Sequence, residues 1–219
     1  MPTSDKPPLR EPLMAEIRFT IVASLHRDYG GENFLHEIVG EISVRNTDDE
    51  TEETAGDLRA WLVQFTEAHA LGFSSRILGD GYSLELSRYW QELFDFDEFK
   101  LEIQTAWQTE GSDLLVVRSL QILDRFHGQG IGLAALGRTV DLFSRACDLV
   151  ACLPEAMEAY FDLGRDSSEP RRQGLDAGHL TKAIALLTNN LIAAGFQRWG
   201  DTGLFLLNPT HKRPDILLE

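Results

Sequence analysis

The stretch DLLVVRSLQIL (113–123), DRFHGQGIG (124–132), LAALGRTVDLF (133–143) decides how this chain folds. Its first third is rich in β-branched residues and nearly uncharged, long enough to cross a core. A run of this kind predicts a strand buried on both faces. Glycines follow at 128, 130 and 132. Leu133, Leu136, Val140 and Phe143 then fall at i, i+3, i+7 and i+10, the spacing of an amphipathic helix starting in the turn. A strand feeding a glycine-rich turn that opens a helix is suited to phosphate. Glycines let backbone amides converge with no β-carbon in the way, and the first amides of a helix have no internal partners. Two phosphate loops are excluded by their residues. There is no Gly-Lys-Ser/Thr ending, and HGQGIG lacks the glycine spacing of the dinucleotide fingerprint.

Outward from this segment, DLVACLP (148–154) predicts a short buried strand stopped by Pro154. Residues 178–194 predict a second amphipathic helix, on Leu180, Ala183, Leu187, Leu191 and Ala194, ended by Gly195. FQRWGDTGLFLLN (196–208) reads as a closing hairpin. Towards the N-terminus, MAEIRFTIVASL (14–25) and FLHEIVGEISVRN (34–46) predict two strands joined through RDYGGEN. LRAWLVQF (58–65) is a third strand candidate, although AWLVQFTEAHA also fits a helix. Residues 74–99 predict helix, and KLEIQTAW (100–107) is ambiguous. DDETEET (48–54) crowds five carboxylates into seven positions and predicts a solvated loop; it lacks the glycine and ligand spacing of a calcium loop. The proline-rich residues 1–13 predict a loose tail, residues 14–210 one domain with a helical insertion at about 74–99, and 211–219 a second tail.

Composition narrows the function. The chain has 219 residues and a net charge of −15, which disfavours nucleic-acid backbones and anionic lipid surfaces as partners. No apolar run approaches the roughly 20 residues needed to span a bilayer. The N-terminus is too polar for a secretory signal. Cys147 and Cys152 are the two cysteines, too few for a disulfide framework or a four-thiolate zinc site. Placed on one strand, they would point to opposite faces. These features predict a cytoplasmic protein without a metal.

RFHGQGIG after a strand ending LQIL resembles the first motif of the GNAT acetyltransferase superfamily, (R/Q)-x-x-G-x-(G/A). His127 falls at the Arg/Gln position, and Gly130 and Gly132 at the glycines. AAGF (193–196), closing a helix before a terminal hairpin, is similar to the family's second motif. The resemblance covers about residues 110–208 well and the first half loosely. It implies an α/β (α+β) fold with a mixed, mostly antiparallel sheet, splayed central strands and flanking helices. It also implies acetyl-CoA as co-substrate. The amides of His127, Gly128, Gln129, Gly130, Ile131 and Gly132 would hold the pyrophosphate. The backbone of Leu120, Gln121, Ile122 and Leu123 would pair with pantetheine, and a strand amide near Ile122 would stabilise the oxyanion.

The pattern has departures. Histidine replaces Arg or Gln at 127, with Arg125 and Arg138 as possible compensating charges. Leu191 stands where many members carry the tyrosine that protonates the departing thiolate; Tyr160 is a candidate substitute. Glu110 and Asp113 flank the region where some members place a base, and read first as solvated acids. Only about ten residues separate the first two strands, so the helical segment 74–99, with Tyr82, Tyr89 and Trp90, would form the acceptor wall. The expected function is acyl transfer from acetyl-CoA to an amine. The chain's negative field favours a cationic acceptor. The alternatives are a CoA-binding module without turnover and an interaction scaffold with an empty site. Monomer and homodimer are both open.

Overall fold

The computed structural model describes residues 14–22, 31–45, 51–74, 84–154 and 177–214. β1 (Met14–Val22), β2 (Leu35–Arg45) and β3 (Glu52–Val63) form an antiparallel meander. Ile38 and Ile42 of β2 are buried on one face, as the alternation predicts, with Gly40 between them. β3 starts six residues before the predicted strand and takes in Glu52, Glu53 and Thr54, which the sequence assigns to a solvated loop. Local charge pairing explains the difference. The Arg18 guanidinium donates to Glu52 at 2.7 Å, and Arg125 reaches Glu53 at 3.2 Å. Like-charge repulsion is thus relieved inside the sheet. Residues 48–50 lie outside the described residues.

α1 (Phe65–Ala70) follows directly, so the strand and helix readings of AWLVQFTEAHA are each right for one half. The predicted helix 74–99 is shorter. It is α2 (Leu84–Leu93), followed by a two-strand ribbon, β4 (Phe94–Asp95) and β5 (Glu98–Phe99). Phe96 turns that ribbon with φ of 56°. Phe94 and Phe99 stack there at 4.6 Å, burying rings that would otherwise belong to the helix face. Residues 75–83, with Tyr82, lie outside the described residues. α3 (Leu101–Trp107) resolves the ambiguous KLEIQTAW as helix.

The deciding segment folds as expected. β6 (Leu114–Ile122) leads through a 3-10 turn (Asp124–Phe126) into α4 (Ile131–Phe143). β7 (Leu149–Cys152), α5 (Ala177–Ala193) and the antiparallel pair β8 (Gln197–Arg198) and β9 (Phe205–Leu207) complete the chain. The result is a seven-stranded, mostly antiparallel sheet, ordered β1-β2-β3-β6-β7-β9-β8, in which β6 and β7 are the parallel pair. α1, α2 and α3 cover one face, around Trp61, Phe65, Tyr89 and Trp107. α4 and α5 cover the other, around Leu136, Val140, Leu191 and Phe196. Arg213 ties the chain beyond β9 to α4 through the Gly137 carbonyl and Asp141. No helix among the described residues is long and apolar enough to cross a membrane.

The cysteines depart from the reading of opposite faces. Cys147 precedes β7 rather than lying on it, and both thiols pack into the α4–α5 side of the core as free cysteines. Burial pushes Cys147 up to about 12 and raises Cys152 as well.

Candidate functional site

β6 holds two different neighbours along its length. On one edge it pairs with β3 from end to end. On the other it pairs with β7 over Leu114–Val117 alone. β7 ends at Cys152, opposite Val117, and beyond that pair this edge of β6 has no strand partner among the described residues.

A bulge marks the end of this pairing. Arg59 pairs with Ser119 and Ala60 with Val117, so Arg118 is the extra residue. The bulge reverses which residues face which layer. Leu115 and Val117 pack on the α4 side before it, and Leu120 and Ile122 pack on that side after it. Arg118 and Ser119 consequently both lie towards α2.

Antiparallel pairing alternates in direction. The Leu123 amide donates to the Ala55 carbonyl at 2.8 Å. Counting back, Leu123 and Gln121 turn their backbone groups to β3, while Ile122 and Leu120 turn theirs to the open edge. Of the four backbone partners named from the sequence, Leu120 and Ile122 therefore turn to the unpaired edge, and Gln121 and Leu123 are committed to β3.

The glycine turn sits at the end of this edge. Gly128 and Gly130 have φ of 77° and 75°, the left-handed region where glycine is favoured. Gly130 is the N-cap of α4 and offers no side-chain bond. The first backbone bond of the helix runs from Ala134 N to Gly130 O. The amides of Ile131, Gly132 and Leu133 precede that bond and lie at the positive end of the helix dipole. A β-carbon on Gly132 would stand 3.2 Å from Ile122 Cγ1, so this glycine lets α4 close onto β6.

His127 is bound inward. Its Nε2 donates to the Ile122 carbonyl at 2.7 Å, so one of the backbone acceptors on the open edge is occupied by the turn's own imidazole. Gln129 Nε2 donates to the Arg125 carbonyl, while its Oε1 is buried with no partner. Arg125 is engaged with Glu53 and the Thr54 carbonyl. Arg138 lies about two turns into α4, on its exposed side, lining a cavity of about 290 Å³ with Glu16 and Ile131.

The positions weighed for proton transfer are not gathered at the glycine turn. Leu191 is wholly buried in the core. Asp113 lies at the opposite end of β6 from the turn. It accepts from the Thr66 amide at 2.8 Å at the start of α1, and burial raises its carboxyl above the usual range. Glu110 precedes it at the same end. Tyr160 lies outside the described residues.

Sequence reasoning missed a polar cluster over the bulge. Arg118 stacks 3.5 Å above the Trp61 ring, donates to Glu85 Oε2 at 3.2 Å, and lies 4.0 Å from Glu37. Burial raises the Glu85 carboxyl despite the neighbouring guanidinium, and burial raises the Tyr89 phenol strongly. The available signal was the i, i+4 spacing of Glu85 and Tyr89 on α2. Comparison with protein families, curated proteins and solved structures gives no match.

Proposed function

We propose that the chain is a coenzyme-A-dependent N-acyltransferase of the GNAT type, acting on a primary amine. The observation that supports this reading is the end of β6–β7 pairing at Val117, which leaves the edge of Leu120 and Ile122 without a strand partner among the described residues, next to the glycine turn and the start of α4. Pantetheine would lie along that edge as a partial strand. Leu120 would offer its amide and carbonyl and Ile122 its amide, while the turn and helix amides would receive the pyrophosphate. The neutral acceptor amine attacks the thioester carbonyl. A C–N bond forms, the C–S bond breaks, and the proton lost by nitrogen ends on the CoA thiol. An amide on the open edge would stabilise the oxyanion. The free thiols support a reducing, cytoplasmic setting.

The test is calorimetry with CoA, followed by thiol release from acetyl-CoA across a panel of amines. CoA binding with amine-dependent thiol release is the expected result; no CoA binding would refute the reading. One observation favours a second reading, a CoA-binding module without turnover: the position where many GNAT enzymes carry a tyrosine is Leu191, sealed in the core. Under it, CoA would bind and no amine would release thiol.

A further inference from the structure

Three oxygens near the bulge are buried with no hydrogen-bond partner: Glu85 Oε1, Tyr89 OH and Ser119 Oγ. Such atoms are costly and uncommon in a folded protein. Tyr89 and Ser119 are each 1% exposed. Glu85 and Tyr89 are one helical turn apart on the inner face of α2. Ser119 faces α2 from the bulge, next to Arg118, which grips the other oxygen of Glu85. Glu85 and Tyr89 thus share the face of α2 that covers the sheet, and Ser119 lies on the sheet beneath α2, beside the arginine that bonds Glu85.

The chemistry of the occupant follows from these atoms. All three can accept a hydrogen bond, and one belongs to a carboxylate. The cations nearby are engaged: Arg118 with Glu85, Glu37 and Trp61, Arg59 near Asp57, and Arg88 on the Thr202 carbonyl. A primary ammonium group has three N–H donors and a positive charge, which matches three acceptors that include one carboxylate oxygen. Glu85 and Glu37, whose side chains are 17% and 40% exposed, mark the open side.

We propose that Glu85 Oε1, Tyr89 OH and Ser119 Oγ form the receptor for the acceptor's primary ammonium group. This rests on the acyltransferase reading. Ser119 adjoins Leu120, whose backbone faces the unpaired edge of β6, so a nitrogen held here is beside the place assigned to the thioester, and transfer of one ammonium proton to the Glu85 carboxylate leaves the neutral amine that attacks.

The test titrates the full chain, with and without saturating CoA, with n-pentylamine, 1,5-diaminopentane and pentanoate by calorimetry. The amines are expected to bind and pentanoate not to. Ser119→Ala and Tyr89→Phe, which remove only an unpartnered oxygen and keep the fold, should each weaken amine binding about fivefold or more. Glu85→Gln should weaken it about tenfold or more. CoA affinity should be unchanged in all three. Amine affinity unaltered in Ser119→Ala and Tyr89→Phe, a preference for pentanoate, or no binding of either amine would overturn the assignment. Failure to bind CoA would instead refute the acyltransferase reading, and the CoA-free titration would still decide the ammonium site.

Discussion

The carbonyl oxygen of Gln121 lies 1.9 Å from where a β-carbon on Gly56 would stand. Both atoms belong to the backbone framework of β3 and β6, so neither can rotate away. Gly56→Ala is expected to destabilise the protein by about 2 kcal/mol or more, as overpacking against fixed atoms does. Urea unfolding of the two proteins measures it. An alanine variant as stable as the parent would show that the two strands can separate locally at no cost.

Gly130→Asp addresses the turn. At φ of 75° aspartate is among the better-tolerated replacements, and the strain should cost about 1 kcal/mol. Its carboxylate would stand beside the free amides of α4 and repel a pyrophosphate. Calorimetry should show CoA binding lost in a folded variant. Unchanged affinity would place the phosphate elsewhere.

His127→Arg exchanges the bond to the Ile122 carbonyl for a permanent charge. The expected outcome is tighter CoA binding by about 1 kcal/mol or less, because the position is solvent-exposed. The gain should shrink as salt rises. Weaker binding at all salt concentrations would mean that the imidazole bond shapes the turn for its ligand.

Thiol reactivity tests the core. With Cys147 raised to about 12, its thiolate is scarce at pH 8, and alkylation in the native state should be slower than for a free cysteine by about a thousandfold. Cys152 has no exposed surface and should be protected equally. Iodoacetamide labelling followed by mass spectrometry should track unfolding. Rapid labelling of either thiol in the folded protein would contradict the packing.

The strand, turn and helix at 113–143 were legible because each piece carries a strong local signal: β-branched content, glycine spacing and helical period. The closing hairpin was legible for the same reason. The start of β3 was not, because Glu52 and Glu53 are neutralised by Arg18 and Arg125, residues far away in sequence. The α1–α3 layer was blurred by short elements whose aromatics suit helix and strand alike, as Phe94 and Phe99 show. The bulge at Arg118 left no mark, since LLVVRSLQIL places apolar residues on both sides of it. Without the bulge, the placing of both Arg118 and Ser119 on the α2 side of the sheet could not be inferred. Leu191 is consistent throughout: its heptad-like spacing predicts a core residue, and it is one.

The end of β7 opposite Val117 divides β6 into two regimes of solvent exchange. Over Leu114–Val117 the strand is flanked on both sides, so its amide protons should trade with deuterium slowly and uniformly. Past the bulge the pattern should become a beat of period two. Gln121 and Leu123 are paired with β3, while Leu120 and Ile122 have no strand partner on their side among the described residues. Any molecule that lies along that edge as a strand would slow those two protons and erase the beat, so a tracing of exchange along this one strand would register its arrival before any product is formed.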